Sequence, residues 1–420
     1  PMKIWLICQY YAPERGTAQL RMSSLARLWT SLGKDLNVLT ATPQTFQGEP
    51  YPGYEHKPPF FTELIDGVSV WRHRVKNLGH GQPGRHGLRL WGQVAFAWGL
   101  LRHWFGQDRA PHVVVASSPP LLMGLSAWLL ARHYQAKFVL DIRALWPAVL
   151  VQIGLLNPHS WQYRLFRTLE HFLYRRADVV VANSRSIAQH LVDHGLDPKK
   201  IYVLPDGVGD EAIGYRTTAA AQTAAAQLRN QLQANPLAKI VLYEGPLGMA
   251  QAVGQVLDAA RQLMGRSDLL FVIMGDGDDR SRLQQVAQGM PNVVFLSTPT
   301  DGERRAAYTL ADVVLSCHKD VQGLHTHVPP RLLELMASGA PVVAALAGEG
   351  ADIMRRAQCG LVVPPEDSHA LARAIVYVLD NPDKATDMGQ AGPQYVNNHF
   401  RMTLVGQQYL ALLHQVVDGK

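Results

Sequence analysis

The sequence predicts an α/β protein built from two doubly wound, Rossmann-like parallel sheets. Three observations carry that prediction. Short apolar runs alternate with longer amphipathic segments along nearly the whole chain, the order that makes a parallel sheet covered by helices on both faces. The alternation stops at a polar stretch rich in alanine and glutamine, residues 217–234, and then begins again. At 420 residues, 47% of them hydrophobic and 18% charged, the chain has the length and apolar content for two cores.

In the first half the expected strands are residues 3–8, 35–39, 68–73, 112–116, 137–141, 179–182 and 201–204. Helical patterns fall between them at 18–32, 88–104, 121–134, 161–175 and 186–194. In the second half the expected strands are 240–243, 269–274, 293–296, 313–316, 342–345 and 361–363, again with helices between. The domain reading is therefore 1–205, a linker over 206–235, a second domain over 236–400, and a closing helix over 401–420. Ligands of such sheets bind beyond the carboxyl ends of the strands, so two such domains are expected to face each other across a cleft.

Composition excludes several classes. Cys8, Cys317 and Cys359 lie far apart with no ligand-like spacing, which speaks for a reducing compartment and against structural zinc. Apolar windows at 90–101 and 121–131 are too short and too interrupted to span a bilayer, and the chain opens on a strand rather than a leader. The expected location is cytoplasmic. Residues 1–200 carry 23 Lys and Arg against 12 Asp and Glu, and the remainder 17 against 22. A basic first half predicts an anionic neighbour. No nucleic-acid-binding motif is present in the sequence. Residues 71–109 interleave Arg72, Arg74, Lys76, Arg85, Arg89, Arg102 and Arg109 with Trp71, Trp91, Trp98 and Trp104. That mixture predicts either a core-facing helix or peripheral contact with an anionic leaflet.

The most informative stretch is residues 327–343, HVPPRLLELMASGAPVV. Two prolines close a loop, a short helix begins near Arg331, and Gly339 ends it before an apolar strand. A helix start attracts phosphate. Arg331 adds a forked cation, and Glu334 one turn later is suited to ribose hydroxyls. Glycine-bearing loops follow neighbouring strands: YEGPLG at 243–248, GDG at 275–277 and GEGA at 348–351. Such glycines are expected to bring backbone close to a phosphate. His318, His325 and His327 have a loop spacing that suits solvent rather than a metal, and none is expected.

Read in order, several segments resemble the retaining glycosyltransferases of the GT-B fold, family 4 (group 1), in the branch that builds capsule, O-antigen and other surface polysaccharides. They are QYYAPERG at 9–16, DIRALWP at 141–147, ANS at 182–184, LPDGV at 204–208, the 243–248 and 275–277 loops, NVVFL at 292–296, residues 331–343 and CGLVVP at 359–364. The resemblance implies a nucleotide-sugar donor, UDP-linked in this branch, held by Gly245, Leu247, Gly248, Asp276, Phe295, Leu296, Arg331, Leu333, Glu334 and Glu349. No metal or other cofactor is implied, because fixed cations and helix dipoles stabilise the leaving diphosphate. The acceptor, a saccharide or lipid-linked saccharide, is implied beside Gly16, Ala144, Trp146 and Ala148, with Glu14, Asp141, Arg143 and Arg331 as catalytic candidates. Asp141 is equally readable as a structural carboxylate at a strand end.

This chain departs from the family pattern at four places. The E-x7-E motif that ends at Glu334 has Thr326 at its first position. Arg331 stands where relatives carry lysine, and the loop 245–251, GPLGMAQ, lacks the usual Arg and Lys. Ala144 and Ala148 occupy positions of an aspartate and a glutamate. Two further readings follow: a GT-B epimerase acting on UDP-sugars, and a nucleotide-sugar-binding protein with impaired catalysis.

Overall fold

The computed structural model describes residues 2–14, 17–45, 49–75, 86–104, 110–152 and 156–419, and the chain divides into two compact units. Unit 1 is residues 1–206 with 402–420, and unit 2 is residues 207–401.

Unit 1 holds an eight-stranded sheet. In chain order its strands are β1 (Lys3–Ile7), β2 (Asp35–Ala41), β3 (Phe60–Ile65), β4 (Val68–His73), β5 (Val113–Ser118), β6 (Lys137–Ile142), β7 (Val179–Ala182) and β8 (Ile201–Val203). They lie in the order β3-β4-β2-β1-β5-β6-β7-β8, all parallel except β3. Central strands such as β5 are buried at every residue, which is why they read as unbroken Val and Ala runs rather than as alternation. The sequence reading missed β3. Its signal was Asp66-Gly67, both at positive φ, the pair that a two-residue hairpin turn requires. β3 is an edge strand half open to water, and Thr62-Glu63 splits its apolar residues into two pairs instead of a run.

Unit 2 holds β9 (Lys239–Glu244), β10 (Leu269–Met274), β11 (Val293–Leu296), β12 (Val313–Cys317), β13 (Val342–Ala345) and β14 (Gly360–Val363). They form a wholly parallel sheet in the order β11-β10-β9-β12-β13-β14. In both sheets the order reverses beside a central strand, β1 in the first and β9 in the second, which is the doubly wound pattern.

Two segments differ from expectation. Residues 207–235, read as a linker, belong to unit 2. The helix Ala219–Gln231 buries Ala221, Ala225 and Leu228, at helical spacing, so its small side chains form a narrow apolar stripe that packs on unit 2's core. The closing helix, Met402–Asp418, rejoins unit 1. There Trp29 donates its indole N–H to the Gly406 carbonyl at 3.1 Å and meets Tyr409 edge-on, ring centroids 5.2 Å apart. Among the described residues no helix is long and apolar enough to cross a membrane.

Candidate functional site

In unit 2 the loops after β9 and β10 are locked together backbone to backbone. The Gly245 N–H donates to Met274 O at 3.0 Å, Leu247 N–H to Asp276 O at 2.9 Å, and Asp279 N–H to Leu247 O at 2.9 Å. A Cβ at Gly275 would lie 2.0 Å from Gly245 O, and one at Gly277 2.4 Å from Leu247 O. The glycines at 275 and 277 thus serve loop-against-loop packing, which corrects their reading as room for phosphate.

Next to these loops stands a half-sealed group of charges. Glu244 ends β9 with its side chain 3% exposed. Its carboxylate accepts from the Tyr308 hydroxyl at 2.7 Å and pairs with Arg304 Nε at 3.4 Å and Arg331 Nε at 3.1 Å. Arg331 also pairs with Glu334 one turn along the helix Pro330–Ala337, and these two side chains keep 16% and 14% of their exposure. Burial disfavours the Arg331 charge, but Glu334, Tyr308 and Glu244 around it outweigh burial and hold its pKa above the usual arginine value. Burial, then the Glu244 charge, pushes the Tyr308 hydroxyl far up, so it stays a proton donor.

The other expected donor residues divide. Phe295 and Leu296 are half-buried on the edge strand β11, where Leu296 O accepts from Gly275 N–H at 3.3 Å and Arg280 at 2.9 Å. Asp276 is exposed, and its carboxylate accepts the Gly277 N–H at 2.9 Å. Glu349 opens the helix Glu349–Ala357 and is buried. Leu247 and Leu333 have core side chains on opposite faces of the sheet. Gly248 caps the short turn Met249–Gln251. His318 is pushed down to about 4 by burial and then by His327, which keeps it neutral.

In unit 1 the catalytic candidates land in different settings. Asp141 is fully buried, and its Oδ2 pairs with Arg21 at 3.1 Å. Arg21 also pairs with Asp206 at 3.2 Å and donates to the Leu204 carbonyl at 3.0 Å, while Asp206 pairs with Arg143 at 3.2 Å. This closed chain of charges fastens the ends of β6 and β8 to the helix Thr17–Ser31, and it corrects Asp141 from a candidate base to a structural carboxylate. The roles of Arg21 and Asp206 were not foreseen, because neither stands near the others in sequence.

Glu14 remains partly open. Its carboxylate accepts the Gln44 N–H at 2.9 Å and the Tyr11 N–H at 3.2 Å. Burial raises its pKa to about 7 against those two bonds and Arg72. Ala144 and Ala148 are half-buried, and Ala148 begins a short helix, Ala148–Gln152. Trp146 packs on Phe166 with ring centroids 4.8 Å apart. Gly16, Lys76, Arg85 and Arg109 lie outside the described residues. On the helix His86–Trp104, Val94, Trp98 and Arg102 are exposed at four-residue spacing, Trp98 by 67%.

Comparison with known proteins gives concordant matches. Residues 16–207 match the family model described as a glycosyl transferase 4-like domain, and residues 225–395 that of the glycosyl transferases group 1. WcaI of Escherichia coli K12, assigned to colanic acid biosynthesis as a glycosyl transferase, is 25% identical over 353 residues, covering 81% of this chain and 83% of that protein. A D-inositol 3-phosphate glycosyltransferase of Kineococcus radiotolerans is 28% identical over 357 residues, 79% of this chain and 77% of its own. Among solved structures, sucrose-phosphate synthase from Thermosynechococcus elongatus superposes with a TM-score of 0.78 at 20% identity over the full length of both chains. HepE of Anabaena in complex with UDP-glucose superposes with a TM-score of 0.73 at 17% identity, covering 99% of this chain and 100% of that one.

Proposed function

Because this chain belongs to the group 1 glycosyl transferases of family 4, with the GT-B fold, we propose that it moves a sugar from a UDP-sugar to a saccharide or lipid-linked saccharide, with retention, in surface-polysaccharide biosynthesis. The observation that carries this reading is Arg331 paired with Glu334 on the first turn of the Pro330–Ala337 helix, both partly open to solvent. A helix start and a guanidinium favour the two phosphates, and a carboxylate one turn on accepts ribose hydroxyls. When the bond from the sugar's anomeric carbon to the diphosphate breaks, the charge gathering on the departing oxygen lies where Arg331 and the helix dipole oppose it, with no metal ion required. HepE, solved in complex with UDP-glucose, favours UDP as the nucleotide, and the name given to WcaI favours a polysaccharide product.

The acceptor is assigned to unit 1. Glu14, with its pKa raised to about 7, suits a group that takes the acceptor's hydroxyl proton. Arg143 positions Asp206 and through it the strand ends. The exposed Val94, Trp98 and Arg102 suit peripheral contact with an anionic cytoplasmic leaflet, where a lipid-linked acceptor would lie. A second reading, a nucleotide-sugar binder with impaired transfer, is favoured by Ala144 and Ala148, which leave two half-buried positions without an acid.

The test is product formation followed by mass spectrometry, with a panel of UDP-sugars and lipid-linked or synthetic acceptors. Transfer by the parent chain supports the first reading. Donor binding without transfer, relieved about a hundredfold by A144D with A148E, supports the second. Sugar rearrangement or release with no acceptor present would point instead to an epimerase.

A further inference from the structure

We propose that Glu244 is a positioning residue for the donor: it sets how much of the Arg331 charge is available to the donor's diphosphate. This rests on the donor reading above. Glu244 is nearly sealed from water, and a buried carboxylate is tolerated only when ionic or hydrogen-bonding partners surround it. Its partners are Arg304 at 3.4 Å, Tyr308 at 2.7 Å and Arg331 at 3.1 Å. Arg304 is itself shared with Asp301 at 2.8 Å, so it cannot neutralise Glu244 alone. Arg331 supplies the balance, and Glu334 draws on the same guanidinium from the other side.

Two cations beside the loop 275–279 are already engaged elsewhere. Arg280 donates to the carbonyls of Gly275 and Leu296, and Arg282 pairs with Asp279 at 2.6 Å. The loop 245–251 contains no Lys or Arg. A diphosphate approaching Arg331 therefore competes with two carboxylates that already hold it, and it meets the Glu244 charge at short range. Such a site rewards each added phosphate less than an unshared arginine would. It leaves more of the selectivity to contacts with the nucleoside, and Glu244 fixes where the guanidinium points.

The experiment is calorimetry with uridine, UMP and UDP as probes on the full chain, repeated with the guanosine series, for the parent, Glu244→Gln, Glu244→Asp and Tyr308→Phe. In Glu244→Gln the affinity ratio of UDP to uridine should rise about tenfold, the worth of one recovered charge-assisted hydrogen bond, and should become steeper in salt. Glu244→Asp should keep the parent ratio. Tyr308→Phe, which leaves Glu244 leaning harder on Arg331, should lower the ratio by up to about threefold. It tests the same idea if Glu244→Gln fails to fold. A lower melting temperature with unchanged ratios in the variants would mean a purely structural role and would overturn the proposal while leaving the donor reading intact. A parent chain that binds none of these nucleotides overturns the donor reading and the proposal with it.

Discussion

Arg21 in unit 1 and Arg331 in unit 2 each sit between two carboxylates at the carboxyl ends of parallel strands. Arg21 and its partners Asp141 and Asp206 have side chains exposed by 1%, 0% and 8%; Arg331, Glu244 and Glu334 have 16%, 3% and 14%. In the first cluster Arg21 also lies against the ring of Tyr409 on the returning helix Met402–Asp418. In the second, Glu244 is sealed at the end of β9 while Arg331 and Glu334 keep part of their exposure. The same residue types at strand ends in the two sheets therefore differ chiefly in burial. A closed arginine fastens the chain, while an arginine with one open side is available to a ligand.

The comparison breaks first on stability. Arg21→Met leaves Asp141 and Asp206 buried without their main partner, so it should cost about 3–5 kcal/mol in denaturant unfolding and disrupt unit 1. A loss under about 1 kcal/mol would show that the closed cluster is not a fastening. Arg331→Ala should instead cost ligand affinity, about 1.5–3 kcal/mol or roughly ten- to hundredfold for UDP by calorimetry, with a smaller loss of stability because Arg304 and Tyr308 remain on Glu244. If the two arginines show the same profile, the distinction by exposure fails.

The third prediction concerns pH. Glu14 has a folded pKa raised to about 7, above its value in the unfolded chain, so the folded state binds more protons between about 4.5 and 7. That contribution is fully present below about 4.5 and is lost as pH rises through 7. Glu14→Gln should flatten the fall and recover about 2 kcal/mol at pH 8, discounted for partial exposure. Glu170, half-buried and hydrogen-bonded by the Tyr174 hydroxyl, is also raised to about 7 by burial and acts in the same window, so Glu170→Gln should remove a second part of the slope. An unchanged slope in both variants would mean that neither carboxyl is held neutral. The smallest effect is expected from Glu334→Gln, about 1 kcal/mol in nucleotide affinity with folding spared, because an amide accepts ribose hydroxyls less well than a carboxylate. A change in melting temperature alone would assign Glu334 to the helix rather than to the ligand.

What was legible in the sequence follows from locality. Strands buried on both faces announce themselves as apolar runs, so β7, β10 and β13 fall at the expected residues. The Pro330–Ala337 helix was readable because its prolines and the glycine beyond it act on their own backbone. Glu244 and Arg304 were not, since they lie 60 residues apart and meet only where the helix Asp301–Leu310 packs on β9. Asp141 could be read two ways because a carboxylate at a strand end looks the same whether it faces water or Arg21. The glycines at 275 and 277 signalled a close approach correctly but not its partner, which is the neighbouring loop.

The return of the Met402–Asp418 helix also gives the chain an unequal modularity. Unit 2 is an uninterrupted insert, 207–401, whose two ends lie side by side: Val208 N–H donates to Phe400 O at 2.7 Å, and Val208 pairs with Arg401 in an isolated bridge. Unit 1 is split, and its last helix supplies Gly406 and Tyr409 to the Trp29 contact. Unit 2 could therefore be cut out as one contiguous piece with neighbouring termini. Unit 1 would need its two fragments rejoined by a short graft, whereas exchanging unit 2 between relatives is a matter of moving a single cassette.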